Sequence, residues 1–186
     1  MLLAEFLRLA SEIDKPSVLE LGTYRSNPEI STLHKEWVPH AFIYHGTDIF
    51  MGQDVDFIAD VHKLSEVAGV ETYDIIISCS SFEHFKYPQV AAFEVSKVLS
   101  PNGLVFVQTH QSYPLHAYPY DFFRFSTEAL SACFGTRNGI KELGTQYQFS
   151  CSIKSERQGD TPGGFLNTLY LGQKTHKTPE QYQYDF

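Results

Sequence analysis

Apolar positions recur along this chain in two rhythms, one of helical and one of strand spacing. Leu2, Phe6, Leu9 and Ile13 share one helical face, interrupted by Glu5, Arg8 and Glu12, which predicts an amphipathic helix within residues 1–15 docked on the domain. Lys15-Pro16-Ser17 breaks that pattern, and Val18–Leu21 reads as a first buried strand. Asn27-Pro28-Glu29 looks like a helix start, with Asn27 as N-cap and Pro28 at the first helical position. A helix is therefore expected through Ile30 and Leu33 to Trp37, closed by Pro39. Ala41–His45 is the expected second strand, Phe57–Asp60 a short third, and Lys63–Val67 a short helix.

The β-branched run Tyr73–Ser78 has the composition of a parallel strand covered on both faces. Val90, Phe93, Val95 and Val98 give Gln89–Leu99 an apolar helical face; Pro101-Asn102-Gly103 then turns into another buried strand, Leu104–Val107. Thr127–Phe134 reads as a helix. Glu142–Ile153 and Phe165–Gln173, separated by the turn-rich Gly159–Gly164, read as a β-hairpin, and the polar, aromatic tail 175–186 as loosely held. Strands alternate with helices until that final pair. The pattern predicts one α/β domain over residues 1–186: an open, mostly parallel sheet with helices on both faces and an antiparallel C-terminal edge.

Composition narrows the partners. With 14 Lys and Arg against 22 Asp and Glu, the net charge is −8, which argues against nucleic acid or an anionic membrane surface. The chain has 3 cysteines, Cys79, Cys133 and Cys151, without CxxC or metal spacing; reduced thiols and a cytoplasmic location are the expectation. No apolar run is long enough to span a bilayer, and the charges of the first segment interrupt any signal-peptide core.

Chemistry gathers where the strands end. Val18-Leu19-Glu20-Leu21-Gly22-Thr23 delivers an acidic residue and a glycine from the first strand, and Gly46-Thr47-Asp48 puts a carboxylate after the second. Asp60-Val61-His62 follows the third, Glu83-His84 the fourth, and Lys97-Val98-Leu99-Ser100-Pro101-Asn102-Gly103-Leu104 leads into the fifth. With the segment His116–Ser126, these stretches resemble the class I S-adenosylmethionine-dependent methyltransferases over about Pro16 to Phe134, closest to small bacterial-type members of the type 11-like kind.

The resemblance implies a Rossmann-like sheet with S-adenosylmethionine as cofactor and S-adenosylhomocysteine as product. It implies that Glu20 lies under the methionine moiety, that Gly22 allows close approach, and that Asp48 accepts from the ribose hydroxyls. Asp60 and the Val61 amide would read the adenine, and Ser78 would floor the sulfonium; Thr23 and Ile49 complete the cofactor set. Tyr24 and Ser26 stand where the family usually has its second and third glycines, and Asn102 where its turn has a first glycine, a position Asn tolerates.

Each residue also has a plainer reading. Asp48 serves equally as a turn carboxylate and Asp60 as an N-cap, while Glu20 needs a buried partner of some kind. His84, His116 and Asp121 are the candidate catalytic groups, an imidazole taking a hydroxyl proton with Asp121 orienting it. His110, Tyr118 and Arg124 are the candidate acceptor contacts, although Asp121 and Arg124 could equally form a pair that holds their loop. No pair of ligands has metal spacing on a recognisable helix. The expected acceptor is a small molecule or saccharide, methylated at oxygen, with a large acceptor or a partner subunit, as in a homodimer, covering the site. The missing GxGxxG argues against a nicotinamide oxidoreductase. A methyltransferase-like binding or assembly module without turnover is the alternative that Tyr24 and Ser26 leave open.

Overall fold

The β-branched run at the middle of the chain becomes the middle of the sheet. The computed structural model describes residues 1–154 and 163–182. Its strands are β1 (Ser17–Leu21), β2 (Ile43–Asp48), β3 (Phe57–Ile58), β4 (Tyr73–Cys79), β5 (Leu99–His110), β6 (Ile140–Ser152) and β7 (Gly163–Lys174). They form one seven-stranded sheet in the order β3-β2-β1-β4-β5-β7-β6. β1 to β5 are parallel, and β7 enters antiparallel between β5 and β6, with Leu104 opposite Gln173 and His110 opposite Asn167. This is the α/β sheet with an antiparallel C-terminal edge that the sequence pattern predicts, and the Rossmann-like sheet that the resemblance implies.

Side-chain alternation divides the core in two. Leu19, Ile76, Val105, Val107 and Tyr170 meet Leu64 of α2 (Leu64–Ala68), Ala92 and Val95 of α3 (Pro88–Val98), and Leu130 and Phe134 of α4 (Thr127–Phe134). On the other face Val18, Ile75, Ile77, Phe106 and Leu169 meet Phe6 and Ala10 of α1 (Leu2–Ser11), with Trp37 packed beside them. The Phe6 ring stacks on Phe106 at 4.8 Å and Trp37 meets Phe106 edge-on at 5.7 Å. Among the described residues no helix is long and apolar enough to cross a membrane.

The expected helix from Asn27 to Trp37 does not form; only a 3₁₀ turn, Lys35–Trp37, occurs there. Asn27 folds into an Asx turn instead of capping, its Oδ1 accepting from the Glu29 amide at 3.1 Å. Ser31 donates to Asp54 and the His34 amide to Glu20, so long-range bonds hold this segment in place of a helix. Ile30 is 60% exposed and gives such a helix no face to bury. β2 is displaced toward Asp48 relative to the expected Ala41–His45, so Gly46-Thr47-Asp48 belongs to the strand rather than to the loop after it. β5 begins at Leu99, and the expected turn is absorbed as an irregularity in its pairing with β4, with Asn102 at φ 65°.

The expected turn Gly159–Gly164 falls largely outside the described residues. The described part of the tail is tied down rather than loosely held. Thr178 donates to the Ser96 and Asn138 carbonyls, and Tyr182 meets Phe93 edge-on at 5.7 Å.

Candidate active site

The strand order reverses beside β1, so a crevice opens at the carboxyl ends of β1 and β4, where open α/β sheets bind ligands. Gly22 leaves β1 there at φ +76°, and a Cβ on it would lie 2.0 Å from Ser81 Oγ. Gly22 is thus needed for the contact between two loops, whatever ligand they hold. Thr23 turns inward, donating to the Asp54 carbonyl at 2.7 Å. Asp48, at the end of β2, accepts from the Tyr24 amide on one oxygen and the Phe50 amide on the other, both at 3.1 Å. The turn reading of Asp48 is therefore realised. Because a carboxylate offers about four acceptor positions, capacity for hydroxyls remains.

The loops on either side are clamped together. Arg25 forms a bidentate pair with Asp54, its Nη2 2.8 Å from Oδ1, and the guanidinium holds the Asp54 carboxyl below the usual range. The Tyr24 ring lies over Gly52, where a Cβ would stand 2.7 Å from it, and meets Phe50 edge-on at 6.3 Å. The bulky residue in the glycine position is thus seated against the β2 loop, with Ile49, Phe50 and Met51 exposed beside it.

Glu20 is spent elsewhere. Its buried carboxylate accepts from the His34 amide at 3.0 Å, from His34 Nδ1 at 2.6 Å and from the Tyr44 hydroxyl. Burial and the adjacent carboxylate push the Tyr44 hydroxyl far above its ordinary range. Glu20 anchors the irregular segment that replaces the expected helix. Asp60 caps the 3₁₀ turn Val61–Lys63, accepting from the His62 amide at 2.9 Å and His62 Nδ1 at 2.7 Å. Ser78, next to last in β4, has a buried Oγ without a hydrogen-bond partner.

The densest chemistry surrounds Glu83, in the 3₁₀ turn Phe82–His84 after β4. Its side chain is fully buried; Oε2 accepts from the Thr109 hydroxyl at 2.6 Å, while Oε1 has no hydrogen bond. Around Oε1 stand the Nε2 atoms of His110 at 3.1 Å, His84 at 3.8 Å and His116 at 3.9 Å. His84 Nδ1 lies 2.8 Å from the Tyr120 carbonyl; His116 Nδ1 lies 3.1 Å from that of Pro114 and 3.3 Å from Asp121 Oδ2. Those oxygens only accept, so each Nδ1 carries a proton, and in the neutral ring each Nε2 is left with a lone pair. His110 stacks on Tyr113 at 4.1 Å, and burial lowers its pKa.

Asp121 touches His116 directly, its Oδ2 accepting from the His116 amide at 2.9 Å. Arg124 turns out to hold the loop. Its donors reach both Asp121 oxygens and the carbonyls of Tyr113, Pro114 and Phe123, so all five N–H groups are committed and none remains for an acceptor. Tyr118, expected as an acceptor contact, is 96% exposed and lines nothing.

Glu83 is the hub; the sequence marks it with His84 after the fourth strand but gives it no role of its own. Tyr44 and His34 as partners of Glu20 carried no local signal.

A methyltransferase-domain family matches residues 2–151. Comparison with curated protein sequences finds no match. Among solved structures, an S-adenosylmethionine-dependent methyltransferase from Archaeoglobus fulgidus is similar at TM-score 0.64 and 14% identity, covering 93% of each chain. The YcgJ protein from Bacillus subtilis is similar at 0.64 and 14%, covering 94% of this chain and 98% of its own. An S-adenosylmethionine-dependent methyltransferase from Mesorhizobium loti is similar at 0.61 and 13%, over 91% and 97%. At such identities these structures speak for the fold, while the family match spans most of the chain. The chain belongs to the methyltransferase-domain family, on the open sheet of the class I S-adenosylmethionine-dependent methyltransferases.

Proposed function

We propose that this methyltransferase binds S-adenosylmethionine in the crevice between β1 and β4 and methylates a hydroxyl oxygen of a small, sugar-like acceptor held over Glu83. The residues at the crevice fit the cofactor. Ser78 supplies an orphaned buried hydroxyl, Asp48 has acceptor capacity for ribose hydroxyls, and exposed Ile49 offers an apolar surface to the adenine. Glu20 and Asp60, already bonded to His34 and His62, act through the loops they fix rather than by touching the cofactor. When bound, S-adenosylmethionine supplies a methyl group activated on sulfonium, and its transfer forms the acceptor O–C bond as the S–C bond breaks.

What remains for the protein is alignment, exclusion of water and removal of the hydroxyl proton. The observation that carries the reading is the pair of Nε2 lone pairs, on His84 and His116, fixed beside the crevice by their Nδ1 hydrogen bonds. Either imidazole takes the proton, and the buried Glu83 carboxylate stabilises the imidazolium that results before water removes that proton. Asp121 sets the orientation of His116, and Arg124 sets that of Asp121.

Calorimetric titration with S-adenosylmethionine and S-adenosylhomocysteine tests the first half. Micromolar binding that weakens in Asp48→Ala supports it, and a folded protein that binds neither refutes it. Transfer of labelled methyl to a panel of hydroxylated acceptors, abolished in a His84→Ala/His116→Ala double variant, tests the second half.

A further inference from the structure

The atoms that converge on Glu83 have a property that proton transfer leaves unexplained. Among the described residues, one carboxylate oxygen and two imidazole nitrogens, from Glu83, His84 and His116, all lie within 4.8 Å of one another. Both imidazoles have spent their Nδ1 protons on main-chain carbonyls, so neither Nε2 carries a proton in the neutral ring. Glu83 Oε1 is buried and without a hydrogen bond. Three electron pairs thus gather around a buried carboxylate, an arrangement that costs free energy unless positive charge lies between them.

We propose that Glu83, His84 and His116 bind a divalent transition-metal ion, with Zn²⁺ the ion that this N, N, O donor set fits. Bonds of about 2.0–2.2 Å in a tetrahedral site place ligand atoms about 3.4 Å apart. The Glu83 oxygen is 3.8 Å from His84 Nε2 and 3.9 Å from His116 Nε2, and no pair of the three is more than 4.8 Å apart, so the two imidazoles must draw together around the ion to reach coordination distance. The outer contacts are those a metal site needs. Each ligating imidazole donates its other N–H to a carbonyl, and Thr109 holds the second Glu83 oxygen. His84 and His116 are partly exposed, which leaves the fourth position facing the crevice, while His110 borders it from the buried side. Three protein ligands and one open position are the pattern of a catalytic rather than a structural ion.

The inference deepens the reading above by moving the removal of the acceptor proton from the imidazoles, whose Nε2 lone pairs are then on the ion, to the ion's open position, and it rests on that reading only for the acceptor placed there. There an acceptor oxygen bound to the ion would lose its proton to water more easily than it does free.

The test uses the untagged full chain, treated with chelator and titrated with Zn²⁺ in competition with a chromophoric chelator, with Mg²⁺ as comparison. One Zn²⁺ per chain, binding at least about tenfold more weakly in His84→Ala and in His116→Ala but unchanged in His176→Ala, supports the site. Absent Zn²⁺ binding in a folded chain, or binding unaltered in both variants, overturns it. Co²⁺ gives an independent readout: intense visible bands mark a tetrahedral site, and weak octahedral bands that persist in both variants count against it. S-adenosylmethionine titration on the same samples separates the failures. Lost Zn²⁺ binding with cofactor binding intact overturns the ion alone, and the converse overturns the cofactor reading alone.

Discussion

Gly22→Ala is the sharpest test of how the crevice is built. The new methyl would stand 2.0 Å from Ser81 Oγ and 2.6 Å from Ser81 Cβ, on a backbone held at φ +76°. The left-handed conformation alone costs an alanine about 1–2 kcal/mol. Overpacking against a buried neighbour adds about 1–3 kcal/mol, for a combined loss of about 2–5 kcal/mol from a domain of about 5–15 kcal/mol. Ser81 cannot rotate away freely, because its hydroxyl bonds the Cys79 carbonyl at 3.0 Å and that of Leu21 at 3.3 Å. Urea denaturation of Gly22→Ala, Ser81→Gly and the double variant separates the terms. The double variant should recover the steric part, a coupling of about 1–3 kcal/mol, and retain the backbone part. Strictly additive losses would refute the packing argument. So would a Gly22→Ala protein of undiminished stability that has merely lost its cofactor, for then the glycine serves the ligand and not Ser81.

The remaining predictions are shorter. Glu20→Gln should destabilise the fold by about 1.5–3 kcal/mol and raise protease sensitivity within residues 24–42, since His34 and Tyr44 lose their charged acceptor; limited proteolysis with mass mapping reads it. Because Arg25 holds the folded pKa of Asp54 below its unfolded value, the clamp contributes fully above about pH 4 and is lost as acid protonates the carboxylate. Affinity for S-adenosylmethionine should therefore be insensitive to this pair between pH 5 and 8 and fall below about pH 4, while Arg25→Ala weakens it throughout. Burial pushes the Cys133 thiol up to about 12 and raises that of Cys79 as well. A thiol titration at pH 8 should find Cys151 reacting first, with Cys79, equally half-buried, held back by its raised thiol and buried Cys133 reacting only after unfolding; a fast second thiol would contradict this.

What could be read from the sequence was local. Thr127–Phe134 is legible because Ser126 caps it, accepting from the Ala129 amide at 3.1 Å, and Gly135 ends it. β4 is legible because a β-branched run must be buried. The segment Asn27–Trp37 carries a helix's local signals, but its fate is decided by Asp54 and Glu20, residues on other strands and loops. The Asp121–Arg124 pair was visible at its spacing, but the carbonyls that absorb the rest of the guanidinium were not. The histidine cluster joins a turn after β4, the end of β5 and a loop beyond it, so no window of sequence contains it. Where Glu83 gathers those histidines, topology does what periodicity cannot announce.

The placement of β7 between β5 and β6 has a consequence for biosynthesis. During translation β5 and β6 both emerge before the strand that joins them, and until Gly163–Lys174 appears each presents an unpaired edge. Leu104 must wait for Gln173, and Thr145 for Tyr170, so closure of the sheet is a late, non-local event. A nascent chain stalled before β7 therefore exposes two adhesive β edges at once and is the form in which this protein would most readily aggregate or recruit a chaperone.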